Sequence, residues 1–283
     1  MLAAASLWGL IGPLSILAFR QGVGPLEVAF WRALLGGVLF GLHALLTGQT
    51  RVRRGDLAAL LLFGVLGVAL LFASYQLAVQ TGGAPLAAVL LYTAPGWVTA
   101  LSPWLLRERL TPGKLGALAL ILLGVLVTSA QGGLHPNLPG LFWGLISGLS
   151  YAAYYLFGKV YLKRYAGQTL FLYALPVGAL TLLPLVHFAH KSPLAWSALI
   201  LLALLCTYGA YGLYSLGLRR LEASKASLIA TLEPVVASAV SALWWGQRLT
   251  PVGLLGGALI LGGVLFTVLA GLSPQPESEV REL

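Results

Sequence analysis

Apolar residues run along this chain in long unbroken stretches, cut by short knots of charge, glycine and proline. The stretches fall at 2–19, 26–46, 57–79, 84–105 and 112–130, then at 138–161, 169–188, 195–217, 224–245 and 251–271. Each is close to the roughly 20 apolar residues that a helix needs to cross hydrocarbon. None shows the apolar–polar alternation of a barrel strand. The pattern predicts an all-α integral membrane protein of ten transmembrane helices. The loops are too short to hold a domain outside the membrane. No basic segment precedes the first run, which passes through Trp8-Gly9-Leu10 to Phe19. It is expected to be a retained helix, not a cleaved signal. The polar residues 273–283 are expected to form a disordered cytoplasmic tail.

Composition agrees with the pattern. The chain has 283 residues, 59% of them hydrophobic and 9% charged. A soluble domain carries about 25% charged residues. The net charge of +9 comes from 17 Lys+Arg against 8 Asp+Glu. In a soluble protein that balance would suggest nucleic acid; here the charge sits in short loops and alternates between them, which excludes that partner. Arg51, Arg53 and Arg54, then Arg107, Arg109 and Lys114, then Lys159, Lys163 and Arg164, then Arg219, Arg220 and Lys225 fall in every second loop. Arg20, Lys191 and Arg248 are all that the intervening loops hold. Basic loops stay in the cytoplasm, so both termini are expected inside a cell (inner) membrane. The single cysteine, Cys206, cannot form an intrachain disulfide and reads as a small buried apolar residue.

Shifted by 139 residues, the chain matches itself. Arg109-Leu110-Thr111-Pro112 falls on Arg248-Leu249-Thr250-Pro251, Pro95 on Pro234, and Ala119-Leu120-Ile121-Leu122 on Ala258-Leu259-Ile260-Leu261. An earlier echo offset by 135 pairs Trp8-Gly9-Leu10 with Trp143-Gly144-Leu145. In Thr-Pro, the threonine caps a helix start and the proline occupies a first-turn position where its missing N–H costs nothing. The expected units are residues 1–134 and 135–272, five helices each. Five is odd, so the second copy must be inverted relative to the first. Its basic residues are depleted accordingly: Arg107 and Lys114 face Gly246 and Gly253. Inverted repeats are typical of secondary transporters, with the substrate held at mid-membrane where the halves meet.

The order of these features resembles the drug/metabolite transporter superfamily, specifically its EamA-type ten-helix exporters. The resemblance rests on Trp8-Gly9, on Leu232-Glu233-Pro234-Val235, and on two similar helix ends. These ends are Arg107-Glu108-Arg109-Leu110-Thr111 and Gly246-Gln247-Arg248-Leu249-Thr250. The second has Gln247 where the family usually has Glu, and the first has Arg107 where it has Gly. The resemblance implies a basket of helices 1–4 and 6–9 around a central cavity, with 5 and 10 outside. It also implies export of small organic solutes, often amino acids or related metabolites.

Ionisable groups inside a span are costly and are functional candidates by default. Glu233 precedes Pro234, which removes a helix hydrogen bond and frees a carbonyl beside the carboxylate. It is a candidate proton or substrate-amine site, or else a structural carboxylate bonded to an N–H or a tyrosine. Arg32 offers a planar fork to a substrate carboxylate; alternatively it snorkels or pairs with Glu27. Buried tyrosines seek a hydroxyl partner, and several share faces: Trp143, Ser147 and Tyr151; Tyr208, Tyr211 and Tyr214; Tyr75 with Gln76; Tyr92, Gly96 and Thr99 beside Trp97. The candidate cavity set is therefore Trp8, Arg32, Tyr75, Gln76, Tyr92, Trp97, Trp143, Tyr151, Tyr211, Tyr214 and Glu233. Trp104, Trp196, Trp244 and Trp245 suit the interfacial belt. Gly37/Gly41, Gly144/Gly148 and Gly253/Gly257 have the spacing of close helix contacts.

No metal set is expected from His43, His135, His187 and His190, and the chain has no phosphate-cradling P-loop and needs no cofactor. The reading is a secondary transporter, not an enzyme, whose partners are a small-molecule substrate, the lipid bilayer and protons as coupling ion. A nucleotide-sugar or phosphorylated-metabolite carrier and a multidrug exporter remain alternatives. So does a polytopic enzyme acting on lipids, although His187 and His190 lack acidic company.

Overall fold

The computed structural model describes residues 1–130, 136–248 and 250–272. The expected tail 273–283 and the expected boundary at 134/135 lie outside the described residues. Among the described residues the structure is helical, with no strand. The rods are α1 (Leu2–Phe19), α2 (Pro25–Leu46), α3 (54–82), α4 (84–106), α5 (Pro112–Ala130), α6 (Leu138–Tyr161), α7 (Gly167–Leu185), α8 (Pro193–Arg220), α9 (Ala223–Trp245) and α10 (Pro251–Leu272).

Among the described residues, eight continuous helical stretches are long and apolar enough to cross a membrane. The difference from ten apolar runs has a local cause. Arg54–Leu91 forms one stretch of 38 residues, although Gly83 breaks it at φ 80°, ψ 158°. A positive φ of this kind is accessible to glycine without a Cβ clash. That break separates α3 from the first half of α4. A second break at Tyr92 leaves Ala94–Leu106, 13 residues, as the other half. In α6 the length is present, but tyrosines, serines and glycines dilute the hydropathy.

Helix starts follow their sequence signals. Thr111 Oγ1 accepts the Lys114 N–H and Thr250 Oγ1 accepts the Gly253 N–H, both at 3.2 Å. Asn137 and Ser192 cap α6 and α8 in the same way. The backbone also repeats irregularities at the offset read from sequence. Wide π-type turns occur at Gly64–Leu70 in α3 and Leu202–Gly209 in α8. Mid-helix breaks occur at Tyr92 in α4 and Thr231 in α9. Left-handed residues end α4 at Arg107 (φ 58°) and α9 at Gly246 (φ 64°).

α2 packs on α7, the α3–α4 segment on α6, and α5 on α10. Two expected glycine contacts are close approaches: a Cβ on Gly37 would meet Pro176, and one on Gly148 would clash with the Leu90 carbonyl oxygen. The third is corrected. Gly257 faces open space, and Gly256 meets Gly124 at the α5–α10 seam instead. The core gathers Trp8, Phe40, Phe63, Tyr154, Phe171 and Tyr214. Outward faces are apolar, with Trp104 and Leu243 almost fully exposed, as expected of a lipid-facing surface.

Arg107 holds a conformation that costs an L-residue roughly 1–2 kcal/mol. Its side chain is exposed. Arg107→Gly is therefore expected to raise the thermal unfolding midpoint in detergent, by a stabilisation of about 1 kcal/mol. An unchanged or lowered midpoint would show that the arginine contributes more than its backbone costs.

Candidate functional site

Seven rods converge on a cavity of about 530 Å³. α1 contributes Trp8, Ser15 and Phe19; α2 contributes Pro25, Val28 and Arg32; α3 contributes Phe72, Tyr75 and Gln76. α4 adds Ala84, Ala88 and Tyr92, α6 adds Tyr151 and Tyr154, α8 adds Tyr211, and α9 adds Glu233, Pro234 and Ser238. α7 lines none of it, contrary to the expectation that helices 6–9 would all contribute. α7 is held behind the wall, where Pro176 packs on Gly37 of α2. α5 and α10 stay outside, as expected.

Eight of the eleven sequence candidates meet in this cavity: Trp8, Arg32, Tyr75, Gln76, Tyr92, Tyr151, Tyr211 and Glu233. Three do not. Tyr214 is fully buried behind the wall, where its hydroxyl donates to the Tyr154 carbonyl at 3.1 Å. Trp97 sits part-exposed and donates through Nε1 to Thr93 Oγ1 at 3.2 Å. Trp143 packs edge-on against Phe142 on the outer part of α6. Among the expected belt tryptophans, Trp196 near the start of α8 packs 4.8 Å from Trp31.

Arg32 is 6% exposed, which excludes snorkelling to the surface. Its Nε donates to Thr207 Oγ1 at 3.4 Å, and its guanidinium lies 5.3 Å from the Phe72 ring. Thr207 belongs to the wide turn of α8, the kind of helix irregularity that recurs at functional sites. Glu27 does not pair with Arg32. Its carboxylate holds Lys191 and accepts the Ala189 N–H at 3.1 Å and the Trp31 Nε1–H at 3.3 Å. Among the described residues, no carboxylate lies within ion-pair distance of the Arg32 guanidinium. Glu233 stands at the α9 break, with the Tyr92 hydroxyl from the α4 break beside it. Among the lining residues Arg32 and Glu233 are the two charges, of opposite sign.

The cavity has a floor and a mouth. Its lining extends to Phe19, Pro25, Val79 and Ala84, beside the loops at the lysine-poor end. Towards the lysine-rich end it is closed by packed rings. Trp8 lies 5.9 Å from Tyr211 and 5.7 Å from Tyr214, and Tyr154 lies 5.0 Å from Tyr214.

Below that floor, charge ties the loops together. Glu108 is buried and accepts the Ala223 N–H (2.5 Å), the Ser224 N–H (3.1 Å) and the Ser224 hydroxyl (2.6 Å). Lys114 is also buried; its Nζ donates to the Arg109 carbonyl at 2.7 Å and pairs with Glu222 at 3.1 Å. Lys225 joins Glu222 at 3.3 Å, and Lys159 donates to the Leu218 and Leu221 carbonyls.

Sequence reasoning missed Thr207, Phe72, Tyr154, Ser15 and Ser238. Small hydroxyls and an isolated Phe carry no signal within an apolar run. Tyr154 could have been found by its helical spacing from Tyr151.

The EamA-like transporter family matches this chain twice, at residues 1–130 and 138–269. The chain belongs to that family. An uncharacterized transporter of Archaeoglobus fulgidus is 34% identical over 91% of this chain and 92% of its own length. A probable terminal-alkyne amino-acid exporter of Streptantibioticus cattleyicolor is 28% identical over 87% of this chain and 84% of its own. A probable amino-acid metabolite efflux pump of Salmonella typhimurium is 27% identical over 71% of each. A crystal structure covering 95% of this chain and 94% of its own shares the fold, at a TM-score of 0.82 and 18% identity. This is a multi-pass membrane protein of a transporter family.

Burial alone would raise the Glu222 carboxyl, but the Lys114 and Lys225 ammoniums beside it outweigh that and hold it below the ordinary carboxylate range. A depressed native pKa contributes stability above the unfolded value, about 4.3, and loses it as pH falls through the native value. Thermal stability in detergent is thus expected to drop below about pH 4, and to drop less in Glu222→Gln. Identical acid profiles would remove Glu222 from the closure.

Proposed function

We propose that this chain exports a small zwitterionic, amino-acid-like metabolite from the cytoplasm by alternating access. The observation that carries the reading is the opposed pair in one aromatic cavity: Arg32 without a carboxylate partner and Glu233 facing the same space. Arg32 would take a substrate carboxylate through its fork. Glu233 would take the amine, with Tyr92 steadying the carboxylate. Trp8, Phe72 and Tyr75 would hold the side chain. A volume of about 530 Å³ suits such a solute. The names of the Streptantibioticus and Salmonella relatives support the same substrate class.

The duplicated halves, inverted in the membrane, would rock about this site. With the basic loops held in the cytoplasm, as such loops usually are, both termini would lie inside and the mouth would face outward in a cell (inner) membrane. Glu233 would also carry the coupling proton. A phosphorylated-metabolite carrier would want several cations, and Arg32 is the single basic residue on the lining. A cationic-drug exporter would use Glu233 and the rings but not Arg32.

Uptake of a labelled solute panel into inside-out vesicles, with and without a pH gradient, tests the reading. Saturable uptake of zwitterions is expected. Arg32→Gln should lower it roughly ten- to a hundredfold, the loss of one charge-assisted hydrogen-bonded contact. Glu233→Gln should abolish gradient dependence. Cationic-drug uptake that survives Arg32→Gln would favour the multidrug alternative, and unchanged pH dependence in Glu233→Gln would remove the proton role.

A further inference from the structure

The two ends of the bundle are built from the same repeat, yet one is closed and the other open. At the lysine-rich end, the second residue after α4 reaches the start of α9: Glu108 accepts two backbone N–H groups and the Ser224 hydroxyl. The repeat offset places an equivalent joint at the lysine-poor end, between the second residue after α9 and the start of α4. There Gln247 replaces Glu108, and Pro85 replaces Ser224. Pro85 has neither the N–H nor the hydroxyl that the first joint uses. A glutamine offers one acceptor oxygen in place of two and no charge to meet the helix dipole. The supporting ions are missing as well: Lys114 becomes Gly253 and Glu222 becomes Gly83. Glu108 is buried and Gln247 is exposed.

We propose that Glu108 is the bolt of a gate at the lysine-rich end, and that its unmade counterpart at Gln247 leaves the cavity resting open at the lysine-poor end. The inference rests on the alternating-access reading above. Glu108 touches no cavity atom, so it acts as a positioning residue. It holds the second half of α4 against the first turn of α9, below the ring floor. To admit solute from the lysine-rich side, the protein must break those three hydrogen bonds, then close the opposite end without an equivalent joint to hold it. The open-mouthed state is thereby the ground state, and exchange of the two states is limited by the release of Glu108.

The test reads distance and needs no substrate. In a Cys206→Ala background, spin labels at the exposed positions Leu110 and Arg220 report the lysine-rich joint by pulsed electron–electron resonance, in liposomes of bacterial lipid. The parent should give one short distance. Glu108→Gln should add a second, longer population. Because Glu108→Gln could fail to fold, a reverse variant is measured in parallel. Pro85→Ser with Gln247→Glu supplies the missing joint, and labels at the exposed positions Gln80, before the α4 start, and Leu243, near the α9 end, should then move together as the mouth closes. A monodisperse Glu108→Gln with the parent distance distribution would overturn the proposal. So would a folded reverse variant with an unmoved mouth. Shifted distances in a protein that moves no zwitterion would sink the substrate reading alone, and zwitterion transport with unshifted distances would sink the bolt alone.

Discussion

Within hydrocarbon, every backbone N–H and C=O must find a partner in the protein, because water is absent to supply one. That constraint makes the chain a set of helices, and it also decides where the helices are allowed to fail. α4 and α9 break at Tyr92 and Thr231; α3 and α8 widen at Gly64–Leu70 and Leu202–Gly209. The breaks at Tyr92 and Thr231 are buried, and each widened turn buries one face, Val68 and Ala69 in α3 and Cys206 and Thr207 in α8, while Leu66, Leu204 and Leu205 face outward. The chemistry of the cavity is concentrated on these irregular turns: Tyr92 and Glu233 flank the breaks, and Thr207 on the widened turn receives Arg32. A polar site in a membrane needs backbone that has left its own ladder, and such backbone is tolerated only where a protein interior encloses it.

Much of the fold was legible because hydrocarbon thickness sets span length, and because Thr-Pro and glycine punctuate the chain by simple stereochemistry. Run edges shifted modestly. α3 begins at Arg54, before the apolar run at 57, because a charged first turn can sit at the interface. α7 ends at Leu185, short of 188, because Pro184 tightens the last turn. Glu233 and Arg32 were legible for a different reason: an ionised group in an apolar run has few excuses. The aromatic candidates divided. Tyr75, Tyr92, Tyr151 and Tyr211 reach the cavity, whereas Tyr214 fills the space behind Trp8. A shared helical face tells which residues neighbour one another, not which side of the wall they occupy. The contacts of Glu108 were hidden by distance, since its partners lie 115 and 116 positions away.

The two ends show how one repeat can carry two different jobs. The α7 start is fixed to the α2–α3 loop through Thr169 Oγ1 and the Gln49 carbonyl at 2.6 Å. At the opposite end the α2 start is fixed to the α7–α8 loop through Glu27 and the Ala189 N–H. These corners are balanced across the pseudo-symmetry. The α4–α9 corners are not: Glu108, Lys114 and Glu222 have the uncharged counterparts Gln247, Gly253 and Gly83, although Arg109 and Arg248 are kept in both. Divergence after duplication has thus been spent on the joints, while the packed seams retain the shared pattern.

The break at Tyr92 also has a mechanical meaning. The second half of α4, Ala94–Leu106, is a rigid arm of 13 residues, about 20 Å at 1.5 Å per residue. Pivoting such an arm by about 10° displaces its tip by ~3–4 Å, more than the reach of a hydrogen bond. A small rotation in the bilayer's middle is therefore enough to disengage a contact at the surface. In the proposed alternation between states, such a break would let the half-helix swing relative to the α5–α10 seam, so that little of the lipid-facing surface would need to move.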